Sequence, residues 1–285
     1  MIWGHAIVWY LFLAGLAAGA FATAALVALG RSRTESLGIQ SIGRAIALVA
    51  LGAGLVLLLV DAEAGIKNPA RFFYLLTNFN SVMTWGVAIL SGFSLVIVVT
   101  LVLSLTRRLT PRWLDVVGML LALSTAAYTG VLLGVVKTYP IWNTALLPVL
   151  FLVSALSAGA AATGLGTALF ARRDLGLLHP FKRLHVVLPV VEGLLVAALL
   201  FVTASSNPAA LQSAERMISG DLSMAFWLGL VVVGLCVPLV LELLSLRRRN
   251  GEAALSAAGS AGTLVGGIVL RYLVVFSAVP LVFVS

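Results

Sequence analysis

The sequence predicts an all-α integral membrane protein with eight transmembrane helices. Of its 285 residues, 61% are hydrophobic and only 10% are charged, whereas soluble domains carry roughly 25% charged residues. The hydrophobic residues fall into long runs separated by short polar connections, which leave no room for a soluble domain. Helices are expected in all of these runs, because an open strand cannot satisfy its backbone hydrogen bonds in lipid.

Eight runs reach the length of about 20 apolar residues that a span needs. Their predicted bounds are 3–29, 42–60, 82–104, 114–136, 145–170, 184–204, 223–245 and 257–282. The first run is too long for the h-region of a signal peptide, which has about 7–15 residues, and no basic segment precedes it. We therefore expect it to be retained as the first span.

The basic residues predict the orientation of the spans. The loops after spans 1, 3, 5 and 7 hold 13 of the 18 Lys and Arg residues, with Arg44 counted in the first of them, whereas the even loops hold four. Because cytoplasmic loops collect Lys and Arg, both termini are expected on the outer side. The turn from Asp61 to Arg71 and the side chain of His5 then face outward.

The two halves of the chain resemble each other. The stretch "FLAGLAAGAFAT" (12–23) is similar to "FLVSALSAGAAAT" (151–163), "NPA" at 68–70 recurs at 207–209, and further matches follow at offsets of 139 to 142. An offset of four spans preserves orientation, so we predict two parallel four-helix repeats, residues 1–140 and 141–285. The small residues of the first match are expected to let two helix backbones approach closely.

The repeat fails at Asp61 and Glu63, which an offset of 139 aligns with Leu200 and Val202. Packing alone therefore does not require these acids. One interpretation is a solvated turn in which they pair with nearby basic residues. The other is a proton acceptor at the outer rim, since partial desolvation raises the pKa of a carboxyl group towards neutrality.

Further candidate residues lie near the outer ends of spans 1 and 4. His5 has Trp9 and Tyr10 as neighbours, and Tyr128 lies two turns from the end of span 4. The histidine is interpreted either as part of an interfacial aromatic belt or as a hydrogen-bonding ligand. The tyrosine either packs with its hydroxyl on a backbone carbonyl or binds a ligand.

Two charged residues lie near the middle of spans. Glu192 in span 6 and Arg271 in span 8 are expected to form a buried pair that neutralises both charges or to belong to a proton path. Glu242, near the basic residues 247–249, is expected to extend its carboxylate to the cytoplasmic interface.

Several kinds of chemistry are excluded by the residues. The single cysteine, Cys236, allows no disulfide and no iron–sulfur ligand set. None of His5, His179 and His185 lies deep in a span, so no pair of them brackets a haem at mid-membrane. Nucleotide-binding motifs are absent, no metal site is expected, and the charge of +8 is explained by topology rather than by nucleic acid.

Four stretches in the correct order resemble the NrfD/polysulfide-reductase-type family of membrane anchor subunits, and the resemblance covers essentially the whole chain. They are "WYLFLAGLAAGAF", "NPARFFYLLTNFNSVMTWG", "YTGVLLGVVKTYPIWNTALLPVLFLVSALSAGAA" and "GGIVLRYLVV". The resemblance implies an eight-helix subunit of a molybdopterin oxidoreductase in the cytoplasmic (inner) membrane of a bacterium or archaeon. It further implies no haem or iron–sulfur cluster in this chain, and a menaquinone or ubiquinone bound near the outer face.

The resemblance also implies partners on the outer face, namely a four-cluster iron–sulfur subunit and a molybdopterin catalytic subunit. Residues of the first helix (His5, Trp9 and Tyr10) and Tyr128 of the fourth are then the expected quinone ligands. Asp61 and Glu63 are expected at the quinone and, together with Glu192 and Arg271, on a proton path. Two other functions stay open from the sequence: a secondary transporter, and a passive anchor without a quinone site.

Overall fold

A computed structural model describes residues 4–30, 36–61, 81–247 and 252–281, and within these ranges it contains helices and no strand. The helices are numbered here in chain order. They are α1 (His5–Leu29), α2 (Leu37–Asp61), α3 (Val82–Leu105), α4 (Arg112–Gly134), α5 (Leu146–Phe170), α6 (Lys182–Ala204), α7 (Pro208–Ile218), α8 (Val237–Arg247) and α9 (Glu252–Phe276). A 3₁₀ segment (Arg172–Phe181) precedes α6, and a π-helical segment (Ala225–Cys236) continues into α8.

The eight predicted spans are confirmed. Eight helical stretches of the described chain are long and apolar enough to cross a membrane, and their ends differ from the predicted bounds by a few residues. Large apolar side chains cover the outside of the bundle, including Leu95, Phe170 and Phe201, which are 66%, 83% and 75% exposed. A soluble protein rarely exposes so much apolar surface, whereas lipid tails contact it at no cost. The chain is a multi-pass membrane protein.

Helix α1 lies at the centre of the bundle, with 17 of its 25 residues buried. It packs against α2, α4, α5 and α9. Where α1 crosses α5, a Cβ on Gly19 would lie 1.9 Å from the carbonyl oxygen of Ala155, and one on Gly159 would lie 2.0 Å from the carbonyl carbon of Gly19. The close approach predicted from the small residues is therefore confirmed. The two-fold repeat and the orientation in the membrane stay predictions.

We call the end of the bundle that carries the start of α1 and the end of α9 the terminal end, and the other end the opposite end. At the terminal end the His5 ring lies 4.8 Å from the Phe276 ring, measured between centroids. The opposite end holds the C-terminal ends of α1, α3 and α5 and the N-terminal ends of α2, α4 and α6.

Hydropathy does not predict helix α7 or the π-helical form of the seventh span. Helix α7 is short and amphipathic: the Asn207 side chain caps it by accepting from the Ala210 N–H at 2.9 Å, a role that asparagine favours. Ser213 accepts from the Val279 N–H at 3.0 Å, which ties α7 to the chain after α9. The second element, the π-helical segment, places Gly234 against Gly266 so closely that a Cβ on Gly234 would lie 2.5 Å from the Gly266 Cα.

Candidate functional site

Two buried tyrosines lie near each other at the terminal end. Tyr10 of α1 is 2% exposed and Tyr128 of α4 is 8% exposed, and the two helices that carry them pack against each other. A glycine lies against each ring: Gly54 of α2 faces Tyr10, and Gly86 of α3 faces Tyr128. Four helices of the first half therefore place two phenols in one buried region, and a phenol both donates and accepts hydrogen bonds.

The position of Tyr128 depends on Gly86. A Cβ at position 86 would lie 2.0 Å from both Oη and Cζ of Tyr128, far inside van der Waals contact. Gly86 is one turn into α3, so the absence of its side chain leaves the volume that the phenol occupies. This glycine was not predicted, because the sequence alone does not show which ring packs against α3.

The other predicted ligands of α1 lie on a different side of that helix. His5 is exposed, and its ring stacks on Tyr272 of α9 with a centroid distance of 6.3 Å. Trp9 is 45% exposed. Since five residues correspond to about 140° around a helix, His5 and Tyr10 point in well-separated directions. The structure thus brings together Tyr10 and Tyr128, and separately His5 and the aromatic rings of α9.

The acidic residues of the second connection fall mostly outside the described residues. Asp61 is the last residue of α2, which places its backbone at the terminal end, the same end as the tyrosine pair. Glu63 lies outside the described ranges, as do Lys67 and Arg71. The role predicted for the two acids stays a prediction.

A second polar cluster lies deep in the second half. Glu192 of α6 is 4% exposed and Arg271 of α9 is fully buried, and the two interact electrostatically. Among the described residues they form no direct ion pair within 4.0 Å. Instead Arg271 Nη1 donates to the Ser154 hydroxyl of α5.

The other hydrogen bonds of Arg271 go to backbone carbonyls of α9 and α5. Nη1 donates to the Gly267 carbonyl at 3.1 Å, Nη2 donates to the Phe151 carbonyl at 3.4 Å, and the guanidinium lies 5.0 Å from the centre of the Phe151 ring. Its Nε is buried without a hydrogen-bond partner. A Cβ on Gly15 would approach Nη2 to 3.2 Å, so the guanidinium also abuts α1.

A buried ion pair at the opposite end was not predicted. Arg44 lies inside α2 and is 1% exposed, so its assignment to a cytoplasmic loop is wrong. Its Nη2 contacts Oδ1 of Asp115 in α4 at 2.6 Å, and Nη1 donates to the Ser104 hydroxyl. Thr110 donates to the other oxygen of Asp115 at 2.7 Å. The sequence does contain a signal for this pair, because Arg44 and Asp115 are opposite charges near the ends of two predicted spans.

Glu242 also differs from its prediction. It is 3% exposed, and its Oε1 is buried without a hydrogen-bond partner, so the expectation that its carboxylate extends to the interface is wrong. The helix turns this residue inward, where it interacts electrostatically with the half-buried His185 of α6. No group of three or more His, Cys, Asp or Glu side chains that would hold a metal occurs within the described ranges.

Comparison with known proteins shows which family the chain belongs to. Residues 1–283 match the family described as "Polysulphide reductase, NrfD". The chain is 30% identical to one of the chains of the polysulfide reductase of Wolinella succinogenes, over 97% of this chain and 94% of that protein. It is 31% identical to protein NrfD of Escherichia coli K12, over 97% and 95%. It is 24% identical to one of the subunits of the selenate reductase of Mesobacillus selenatarsenatis, over 97% and 74%. The chain therefore belongs to the polysulphide reductase NrfD family.

Proposed function

We propose that this chain anchors a molybdopterin oxidoreductase in the cytoplasmic membrane and binds the quinone that exchanges electrons with it. Relatives are named as parts of a polysulfide reductase and a selenate reductase, which supports a membrane subunit of a larger reductase. The observation that carries the quinone site is the Tyr10–Tyr128 pair, buried in an otherwise apolar part of the bundle.

A quinone needs an apolar slot for its ring and a polar group near each oxygen. Tyr10 and Tyr128 supply hydroxyl groups from α1 and α4, and their rings together with the surrounding core side chains supply the apolar surface. A buried hydroxyl without a partner is costly, so a phenol beside a bound headgroup gains by donating to its oxygen. Menaquinone and ubiquinone both meet this requirement.

Protons must also leave such a site, because quinol oxidation removes two electrons and releases two protons. Asp61 ends α2 at the terminal end, and Glu63 follows two residues later in the sequence. We propose that these carboxylates pass protons between the headgroup and water on the outer side. His5 and Trp9, at the same end, contact the part of the quinone that enters from the rim.

We propose that the chain holds no redox centre of its own, so electrons leave through a partner subunit. On the orientation predicted from the basic loops, the terminal end faces outward. We propose that a four-cluster iron–sulfur subunit docks there and connects the quinone to a molybdopterin catalytic subunit. We also propose that the two halves are parallel four-helix repeats in which α1 and α5 correspond, which the crossing at Gly19 and Gly159 supports.

The test removes each phenolic hydroxyl in the intact complex. Tyr10→Phe and Tyr128→Phe each delete one hydrogen bond, worth about 1 kcal/mol, so we expect affinity for decylubiquinol or menadiol to fall roughly 5- to 10-fold. Turnover with these quinols and binding of a fluorescent quinolone inhibitor are measured in membranes. Tyr139→Phe is the matched control, because Tyr139 is buried at the same end but packs against Trp142. Wild-type affinity in both test variants would instead favour a passive anchor.

A further inference from the structure

We propose that the connection between α3 and α4 binds the headgroup of an anionic phospholipid. This connection (106–111) lies at the opposite end of the bundle. It carries Arg107 and Arg108, and Arg112 is the first residue of α4; we call these three residues the arginine patch. On the orientation predicted from the basic loops, this end faces the cytoplasm, where the membrane surface is negative. The ligand differs from quinone, so this inference does not depend on the proposed function.

The arginine patch carries positive charge that the chain itself does not balance. All three side chains are exposed, and among the described residues none of them has a side-chain hydrogen bond or an ion pair. Helices α3 and α4 pack against each other, so the end of one and the start of the other are neighbours. The nearest acid in the sequence, Asp115, is fully buried and paired with Arg44. The patch therefore offers guanidinium groups, which match the oxygens of a phosphate, to an anion from outside the chain.

The backbone of the connection is at odds with the residues that it carries. Helix α3 ends in a Schellman motif, in which the Arg108 N–H donates to the Leu103 carbonyl at 2.9 Å. The Arg107 N–H donates to the Ser104 carbonyl at 3.1 Å, and Arg107 has a φ of 54°. Glycine is favoured at this position, and the residue after it commonly makes an apolar contact. Local folding thus does not explain arginine at both positions, and conflicts of this kind concentrate at functional sites.

The connection is held in place from inside the bundle. Its buried residue, Thr110, donates to Asp115 at 2.7 Å and accepts from Arg44 Nη2 at 3.2 Å. Arg44 Nη1 also donates to the hydroxyl of Ser104, near the end of α3. This network joins α2, α3 and α4 beneath the connection, so the outward-facing arginines are carried on a fixed backbone. A preorganised site loses less conformational freedom when its ligand binds.

Apolar side chains next to the patch favour a lipid over free phosphate or an acidic protein. Trp113 is 66% exposed, and Leu105 and Leu109 are exposed beside the arginines. Because tryptophan concentrates at the level of the headgroups, Trp113 places the patch at the depth of the lipid phosphates. The exposed Val117 and Leu120 continue one face of α4 towards the centre of the bilayer. An acyl chain below a bound headgroup would contact this face, which a free phosphate leaves unused.

The test measures lipid binding to the purified full-length protein, with any subunits that co-purify, after its native lipids are removed in detergent. Native mass spectrometry counts retained lipids, and thermal unfolding is followed while cardiolipin, phosphatidylglycerol, phosphatidylcholine or inorganic phosphate is added. We expect cardiolipin, which has two phosphates, to raise the thermal midpoint more than phosphatidylglycerol does. Phosphatidylcholine and inorganic phosphate should leave it unchanged. An arginine near the membrane surface contributes about 5-fold in affinity, so the double variant Arg107→Gln with Arg108→Gln should bind cardiolipin about 30-fold more weakly.

Two further variants separate binding from general charge and from folding. Arg172→Gln with Arg173→Gln removes the same charge from two exposed arginines at the same end, and should keep wild-type affinity for cardiolipin. Arg107→Gly suits the positive φ, so the lipid-free protein should be at least as stable as the wild type while cardiolipin affinity falls about 5-fold. Equal losses in the two double variants would overturn the proposal. So would equal effects of cardiolipin and inorganic phosphate, or a wild type that retains no anionic lipid, which would favour an acidic protein partner.

Discussion

Replacing Gly86 by alanine tests whether the phenol of Tyr128 must occupy its observed position. The new Cβ would lie 2.0 Å from Oη and Cζ of that ring, whereas carbon atoms in contact are about 3.5–4.0 Å apart. The ring must therefore shift by about 1.5 Å, because α3 carries the Cβ on its backbone. We expect overpacking to lower the unfolding free energy by about 1–3 kcal/mol. We also expect quinol affinity to fall at least as far as in Tyr128→Phe.

The same helix offers a matched control. A Cβ on Gly92 would meet only Leu121 methyl groups, at 3.7 Å and beyond, which is ordinary contact. Gly92→Ala should therefore keep wild-type quinol turnover and gain up to about 1 kcal/mol from helix propensity.

A double-mutant cycle completes the test of Gly86. In the Tyr128→Phe background the hydroxyl is already absent, so Gly86→Ala should cost little further quinol affinity, and the two effects should be non-additive. Turnover is measured in membranes at several quinol concentrations, and thermal unfolding is measured in detergent. Wild-type turnover in Gly86→Ala, equal to that of Gly92→Ala, would refute the assignment of Tyr128 to the site.

Two further predictions concern ion pairs. Asp115→Asn leaves the buried guanidinium of Arg44 without its carboxylate, so we expect a loss of about 3–5 kcal/mol, seen as a lower thermal midpoint in detergent. Asp221 accepts from Arg216 at 2.7 Å, and this hydrogen bond holds the pKa of Asp221 below its usual value. The resulting stability is present above the pKa of the unfolded chain and is lost as pH falls through the folded pKa. Asp221→Asn should remove that pH dependence, but by less than about 1 kcal/mol because the pair is exposed.

Hydropathy predicted the spans because each needs a long apolar run, and the structure places eight such helices within a few residues of the predicted bounds. Helix α7 has only 11 residues, too few for a window of span length. The π-helical segment depends on backbone hydrogen-bond register, which its uniformly apolar side chains do not encode.

The candidate site was predicted in part. Tyr128 was identified because a tyrosine at that depth needs a partner, and Tyr10 because of the family resemblance. The structure buries both, on two helices that pack against each other. Their glycine neighbours depend on how the helices pack and were not predicted. The errors at Arg44 and Glu242 share one cause. Proximity along the sequence to loop charges was taken as proximity to the interface, whereas helix rotation turns both side chains inward.

The central position of α1 has a consequence for biogenesis. This helix is synthesised before α5 and α9, against both of which it packs. Until α5 is made, the face of α1 that carries Gly15 and Gly19 lacks its native neighbour, so the nascent chain must hold α1 loosely in the bilayer or against the insertion machinery. Chains truncated after α4 should therefore leave this face open to non-native helices and be removed by membrane proteases.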